Sequence, residues 1–590
     1  MGKLNILTFF LLMLFLAPRE GFAQNVDLEK VDDQVKEKFN GLKERWKKDP
    51  LKIRGGITAF SSINFVSGID RRRDPFTWRL SANMTFDFLG ITAPFAANYS
   101  SGNTLYSLRF PSFKLPSYQF VGISPTYKWI TLHFGTRSMN FSDYTLANHS
   151  FSGVGIELKP GRFRFSAMAG RLRRALAEDL NSLQNFEPVF RRKAWGFKIG
   201  YEHKKDNIAL ILFSAEDDEN SIPAISNFPN INPMDNIILG LQGQKTFGKT
   251  FFKFDFGRSA YSRNKTAPAV APVDEASWLR RIGGLHTARI SSGYDDAFNI
   301  GTGLSLNFGT IELNYERVGP AYRTLGALFF NNDFENFTVR FAGQFLDKKL
   351  SIQTNTGLQQ NNLTGLKQQT NNRFVGSINA SYLPNQKWNF NSTYSNFQTT
   401  SRLSAVSIPF IEIDSIVLAQ VSQQANLSVT HTTGKQNNVI WMLMGGYYVS
   451  NSIVNDEIQE EQKTTNYQSS LHFTYLIPTS KWMINSALLG NFGRIPNSDI
   501  LTISPSVTVG KSFLGKKLKL RATLAYLVLF LNGTDTNNIL TSRLGLNYQV
   551  TKKQSLGLNF QLANRHQKSG INNPSGFTET NIKLNYGYRF

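Results

Sequence analysis

Cysteine is absent from all 590 residues, which excludes disulfides, thiolate metal centres, a cysteine nucleophile and a lipid-bearing N-terminal cysteine. Charge is scarce too: Asp, Glu, Lys and Arg make up 18% of the chain, against about 25% in ordinary soluble domains. Apolar residues reach only 41%, against about 45–50%. With a mean hydropathy of −0.26 and one long apolar run, Leu4 to Leu16, the chain cannot be a bundle of membrane-crossing helices. The missing fraction is filled by Asn, Ser, Thr, Gln and Gly, beside 48 phenylalanines. A soluble chain of this length would divide into about three to five domains, and this composition argues against that division.

The single apolar run follows Lys3 and precedes Gly21-Phe22-Ala23, the charged, apolar and small-x-small order of a cleaved leader. The expected signal peptide is 1–23, with a mature start near Gln24 and an exported product. Net charge is +23, and losing Lys3, Arg19 and Glu20 with the leader leaves +22. An exported chain meets no nucleic acid, so lipid phosphates and anionic solutes are the expected acidic partners.

Residues 24–50 are expected to hold a periplasmic amphipathic helix. Leu28, Val31, Val35, Phe39, Leu42 and Trp46 recur at spacings of three and four, acids crowd the start, bases crowd the end, and Pro50 stops it. A solvated spacer, a helix lying on a membrane surface and a segment folded into a pore all remain open.

From Leu51 the period changes to two. Trp78, Leu80, Ala82, Met84, Phe86 and Phe88 alternate with Thr77, Arg79, Ser81, Asn83, Thr85 and Asp87, and the same pattern recurs around 298–308, 337–345, 482–492 and 518–530. Such runs exceed the usual globular strand of about 5–6 residues and match the 9–11 of a tilted membrane-crossing strand. Short connections, such as Leu89-Gly90, Lys204-Lys205, Gly248-Lys249 and Gly515-Lys516, alternate with longer polar segments such as 172–193, 263–295 and 398–417. That alternation predicts an all-β fold over 51–590: one large antiparallel transmembrane barrel of about 26 strands, within 22–28. Trp129, Trp388 and Trp482 each follow a lysine at a short turn, an interface girdle that places the short turns, and both chain termini, on the periplasmic side.

The C-terminus carries the most specific pattern. Phe590 is terminal, and Ile582, Leu584, Tyr586 and Tyr588 alternate with Asn581, Lys583, Asn585, Gly587 and Arg589. Here the chain resembles the outer-membrane β-barrel proteins of Gram-negative bacteria, whose last strand ends in an aromatic residue. The resemblance implies an integral outer-membrane location, lipopolysaccharide contact and recognition of this strand by the barrel-assembly machinery. It is a resemblance of class and identifies no functional family.

A barrel this wide should leak unless it is filled by the N-terminal helix, by an inward loop such as 263–295, or by another protein. Too few residues precede the first strand for the plug domain of TonB-dependent receptors. Arg79, Arg162, Arg164 and Arg340 stand out as candidate lumen or lipopolysaccharide contacts. No catalytic, cofactor or metal constellation rises above background. In Asn148-His149-Ser150-Phe151-Ser152 the histidine and serine fall on opposite strand faces, and the seven histidines lack metal-ligand spacing. Gly153-Val154-Gly155 and Gly301-Thr302-Gly303 lie in strands, where they suggest bending. The sequence therefore predicts a non-enzymatic channel or transport protein with a basic, partly filled lumen. The alternative is a non-conducting barrel subunit of a secretion or surface-display complex, with secretion-complex proteins as partners.

Overall fold

The structure is a computed structural model. It describes residues 51–590 apart from 72–73, 102–119, 179–187, 224–229, 272–284, 329, 367–371, 397–398, 403–417, 435–438, 455–456 and 568–575. The expected leader (1–23) and helix (24–50) lie outside the described residues, as does the inner part of 263–295.

Alternating side chains on a pleated backbone give each strand two chemically distinct faces, and an extended sheet with such faces must either stack or close. This one closes. Each strand is hydrogen-bonded to its neighbours along the chain, and the first, Lys52–Ser67, pairs antiparallel with the last, Phe577–Arg589, in one register from Gly56↔Arg589 to Ser67↔Thr578. There are 28 strand segments, but two pairs each share one place in the wall. Phe120–Ile123 and Thr126–Tyr127 lie between the same neighbours, and Trp388–Ser395 and Thr399–Arg402 both pair with Leu418–Thr433. The wall thus has 26 positions, the number expected.

The break in the first shared strand falls at Ser124-Pro125, because proline offers no ladder donor. His133 clasps the break: its Nδ1 lies 2.9 Å from the Ser124 hydroxyl, and its Nε2 lies 3.5 Å from Glu157, whose other oxygen meets Lys159 at 3.1 Å.

Tight turns close one end of the barrel. Leu89-Gly90 turns with φ of 52° and 79°, both in the left-handed region that a two-residue hairpin of matching twist requires. The opposite end departs from strict short/long alternation. Pro496-Asn497 and Asn532-Gly533 join their strands there in two residues, where longer polar segments were expected. Both dipeptides are efficient turn formers, and they let the flanking strands run on past the wall.

The exterior is apolar. Ile208, Leu210, Leu524, Tyr526, Leu544, Leu584 and Tyr586 are all exposed. Among the described residues, the main core cluster sits on the inner face of one sector: Phe141, Tyr144, Leu146, Phe151, Ile211, Phe213, Ile238, Val318 and Tyr322 form it.

Candidate functional site: a half-covered lumen wall

Among the described residues, two connections fold back against the inner wall. One spans 139–149, between Ile130–Ser138 and Ser150–Leu158; the other spans 319–333, between Gly309–Val318 and Phe334–Phe345. Both lie at the end opposite the tight turns. The strands beneath them carry an inner face suited to a cover.

In Asp206–Asp218, Ile208 and Leu210 face outward at 51% and 47% exposure, while Ile211 and Phe213 face inward at 0%. Both faces of this strand are apolar, so the run Ile208-Ala209-Leu210-Ile211-Leu212-Phe213 reads as a doubly buried strand. Glycines make the seat. A Cβ on Gly155 would come within 2.8 Å of the Met139 sulfur, one on Gly196 within 3.1 Å of the Phe141 ring, and one on Gly240 within 3.1 Å of the Thr145 methyl. Gly257, paired with Gly240, receives Tyr322 and the Tyr144 Cβ. Gly155, expected to bend its strand, makes room for a loop.

Polar bonds lock the cover. The Thr324 hydroxyl donates to the Thr145 carbonyl (2.6 Å), the Ala147 amide to the Gly326 carbonyl (3.0 Å), and the Tyr322 hydroxyl to the Tyr144 carbonyl (2.6 Å). The Tyr144 hydroxyl reaches Glu316 on the wall (2.8 Å), and Lys198 donates to the Phe141 carbonyl (2.7 Å). Asn236 holds the second loop by donating to the Arg323 carbonyl (3.2 Å) and accepting from the Leu325 amide (3.1 Å). Burial raises the Tyr144 and Tyr322 hydroxyls well above the ordinary tyrosine pKa, and Glu316 adds to the effect at Tyr144. Both stay protonated as donors.

His149 is buried beside this cover. Its Nδ1 donates to the Ser150 carbonyl at 2.6 Å, and the Ser152 hydroxyl pairs with Thr136 at 2.9 Å, so neither serine hydroxyl bonds this histidine. Desolvation pushes the imidazole below its ordinary pKa, and the Arg192 and Arg173 guanidiniums push the same way.

The basic residues singled out from sequence occupy different places. Arg79 lies over the inward-facing Phe60 ring, 5.4 Å from its centroid. Arg164 faces inward but is bound to Glu202 at 2.8 Å. Arg162 is in a tight turn and donates to the Tyr201 hydroxyl (3.1 Å), whose ring packs on Phe163 of the exterior face. Arg340 faces inward and shares Glu312 with Lys253. The tryptophans expected to form a girdle are all exposed at the tight-turn end. Trp388 stacks on His431 at 4.0 Å, Lys511 caps Trp482 at 4.5 Å, and Trp129 lies in the turn itself. Ile582, Leu584, Tyr586 and Tyr588 line the outer face of the closing strand, and the Phe590 amide donates to the Gly55 carbonyl (3.0 Å).

A second group on the inner wall was not singled out from sequence: Arg521, Arg543 and Lys583, on neighbouring strands of the uncovered sector. Their signal was legible as basic residues at polar positions of strictly alternating strands.

No known protein family matches this chain, and no curated protein matches it. Among solved structures, the FrpB iron transporter from Neisseria meningitidis (F3-3 variant) aligns over 93% of this chain and 83% of its own, at 9% identity and a TM-score of 0.36. The P pilus usher (PapC) translocation pore aligns over 92% and 100%, at 9% identity and 0.37. Acinetobacter baumannii OccAB2 aligns over 65% and 97%, at 10% identity and 0.27. Likeness at this level leaves the character of the barrel to its own strand pairing and side chains, which define a closed 26-strand antiparallel β-barrel.

Proposed function

We propose that this protein is an integral outer-membrane channel or transport barrel, narrowed by its own loops. One observation carries the reading: a closed wall presents exposed Leu, Ile, Phe and Tyr outward while its inner face holds Asn, Ser, Thr, Gln and cations. In water such an exterior would be a very large apolar patch; in hydrocarbon it is the stable arrangement, and closure leaves no open sheet edge among the described strands. The tryptophans with their lysines at the tight-turn end suit headgroup depth, which supports a periplasmic position for those turns and for both termini. The aromatic-ended closing strand supports handling by the barrel-assembly machinery. The cover formed by 139–149 and 319–333 supplies part of the filling that a wide lumen needs.

Planar-bilayer recording tests the reading. Steady single-channel steps with reversal potentials favouring anions support a basic conducting lumen. Silence that persists after deleting 24–50 supports the scaffold alternative, a barrel filled or closed by a partner. Recovery of the intact chain as a water-soluble globule without detergent overturns the membrane assignment.

A further inference from the structure

We propose that the outer face of the strands Trp482–Ile495, Ser498–Phe513 and Leu518–Leu531 binds one phospholipid of net negative headgroup charge. Its phosphate sits at Lys511 and Lys481, and one acyl chain lies in a groove over Ser486 and Pro505. This rests on the reading of the exterior as a lipid-facing surface.

Compact residues make the groove. Ser486 and Pro505 hold outward positions in rows whose neighbours are Ile484, Leu488, Val507 and Val509. Trp441 and Phe473, with ring centroids 4.6 Å apart, form one bank, and Leu524 and Tyr526 form the other. Pro505 has no amide N–H, and pairing with Leu518–Leu531 is interrupted there, between Ile503↔Val528 and Ser506↔Ala525. The groove encloses about 430 Å³, within the roughly 300–1,000 Å³ of small-molecule sites. Apart from two serines, a tyrosine and a tryptophan, its lining side chains are hydrocarbon.

Two outward rows nearer the tight turns, Trp482 pairs with Lys511, whose ammonium lies 4.5 Å from the Trp482 ring centroid and 5.1 Å from that of Phe513. At about 3.4 Å per residue, Ser486 and Trp482 are about 14 Å apart along the strand, a polar end and an apolar end for one lipid. The Ser512 amide donates to the Lys481 carbonyl (3.2 Å), which joins the two turns at the foot of these strands. The turn segments 478–482, 511–520 and 549–554 hold seven lysines and no Asp or Glu. At tight turns of the roofed sector, by contrast, lysines meet carboxylates: Lys159 with Glu157 (3.1 Å) and Lys245 with Asp206 (2.6 Å). Excess positive charge at headgroup depth selects anionic headgroups, and a zwitterionic one brings its own cation against the same charge. Once the phosphate is held, its acyl chain is tethered beside the groove, so filling the groove becomes an intramolecular step.

The test uses the full mature chain in mild detergent, titrated with dioleoyl phosphatidylglycerol or dioleoyl phosphatidylcholine and read by native mass spectrometry. One phosphatidylglycerol is expected to be retained roughly tenfold more tightly than phosphatidylcholine. Lys481→Gln/Lys511→Gln should erase that preference, and Lys245→Gln, at a carboxylate-bonded turn, should leave it intact. Ser486→Phe, which fills the groove, should weaken retention of both lipids. Heat-shifted gel mobility confirms that each variant is folded. A preference that survives the double lysine variant, or falls as far in Lys245→Gln, overturns the headgroup assignment; undiminished retention in Ser486→Phe overturns the groove. Equal retention of the two lipids by the wild type overturns the site and leaves the membrane-facing exterior standing, whereas a chain that holds neither lipid and stays soluble without detergent overturns both.

Discussion

Two sectors of one wall, built on the same period-two pattern, end in opposite states. From Ile130 to Asn361 the strands run 9–15 residues and their inner face is largely roofed by returning loops. From Leu418 to Arg589 they run 13–21 residues, and among the described residues the buried core cluster takes no member beyond Phe334. The difference is set by the connections. Segments 139–149 and 319–333 are long enough to turn inward and carry Phe141, Leu146, Tyr322 and Leu325 as anchors. Pro496-Asn497 and Asn532-Gly533 can only reverse the chain. The inner face is thus most apolar where a loop returns to cover it; elsewhere it is written mostly in Asn, Thr, Ser and Arg, with scattered apolar positions such as Phe60 and Leu527.

That comparison can be broken by mutation. The largest effect is expected from Phe213→Ala, which opens a cavity beneath the cover and should cost about 3–5 kcal/mol, whereas Asn485→Ala on the open sector, losing one hydrogen bond to Thr474, should cost about 1 kcal/mol. Unfolding temperature by heat-shifted gel mobility reads both, and equal shifts would erase the distinction between sectors. Next, Tyr144→Phe removes a donor to the Glu316 carboxylate and should cost about 1.5–3 kcal/mol. Its sharper readout is faster amide exchange in 139–149 with none in 482–531.

Gly196→Ala places a methyl within 2.8 Å of the Leu212 carbonyl and 3.1 Å of the Phe141 and Phe213 rings, and should cost about 1 kcal/mol or more by disturbing both the wall and the loop seated on it. In a conducting barrel it should also widen the distribution of single-channel steps; unaltered steps and unaltered loop exchange would mean that the glycine seat is dispensable.

The smallest effect concerns pH. His149 is neutral in the closed cover and its pKa there is depressed, while an opened loop returns it to about 6.5. The stability it contributes is fully present above pH 6.5 and is lost as pH falls through the depressed value. Protection of the 139–149 amides, with intrinsic exchange rates divided out, should fall between about pH 7.5 and 5.5, and His149→Gln should flatten that dependence. A profile unchanged by the substitution would place the pH sensor elsewhere.

Much of the wall was legible beforehand, because alternation is a local property. The alternating run at 76–88 and the apolar positions Leu584, Tyr586 and Tyr588 took the faces their spacing assigned, and 26 positions followed from counting turns. What could not be read was anything decided by distant segments. Nothing near Phe141 announces that its ring will lie on Gly196, and nothing in Ile208-Ala209-Leu210-Ile211-Leu212-Phe213 says what covers the second apolar face. Arg164 and Arg340 looked like available charge because their partners, Glu202 and Glu312, are distant in sequence but lie on adjacent strands. Arg521, Arg543 and Lys583 drew no notice because no two are adjacent in sequence.

The seam between the first and last strands has a consequence in time. Asn581 bonds Ser62, a residue 519 positions away, so an emerging polypeptide must keep its opening ribbon unmated until the strand carrying Asn581 is available. A message cut short, or a terminus nicked before insertion, would yield a ribbon with two raw borders and no cylinder. Such a product would be adhesive and a ready substrate for proteolytic clearance, which makes the closing strand a checkpoint on the integrity of the cylinder.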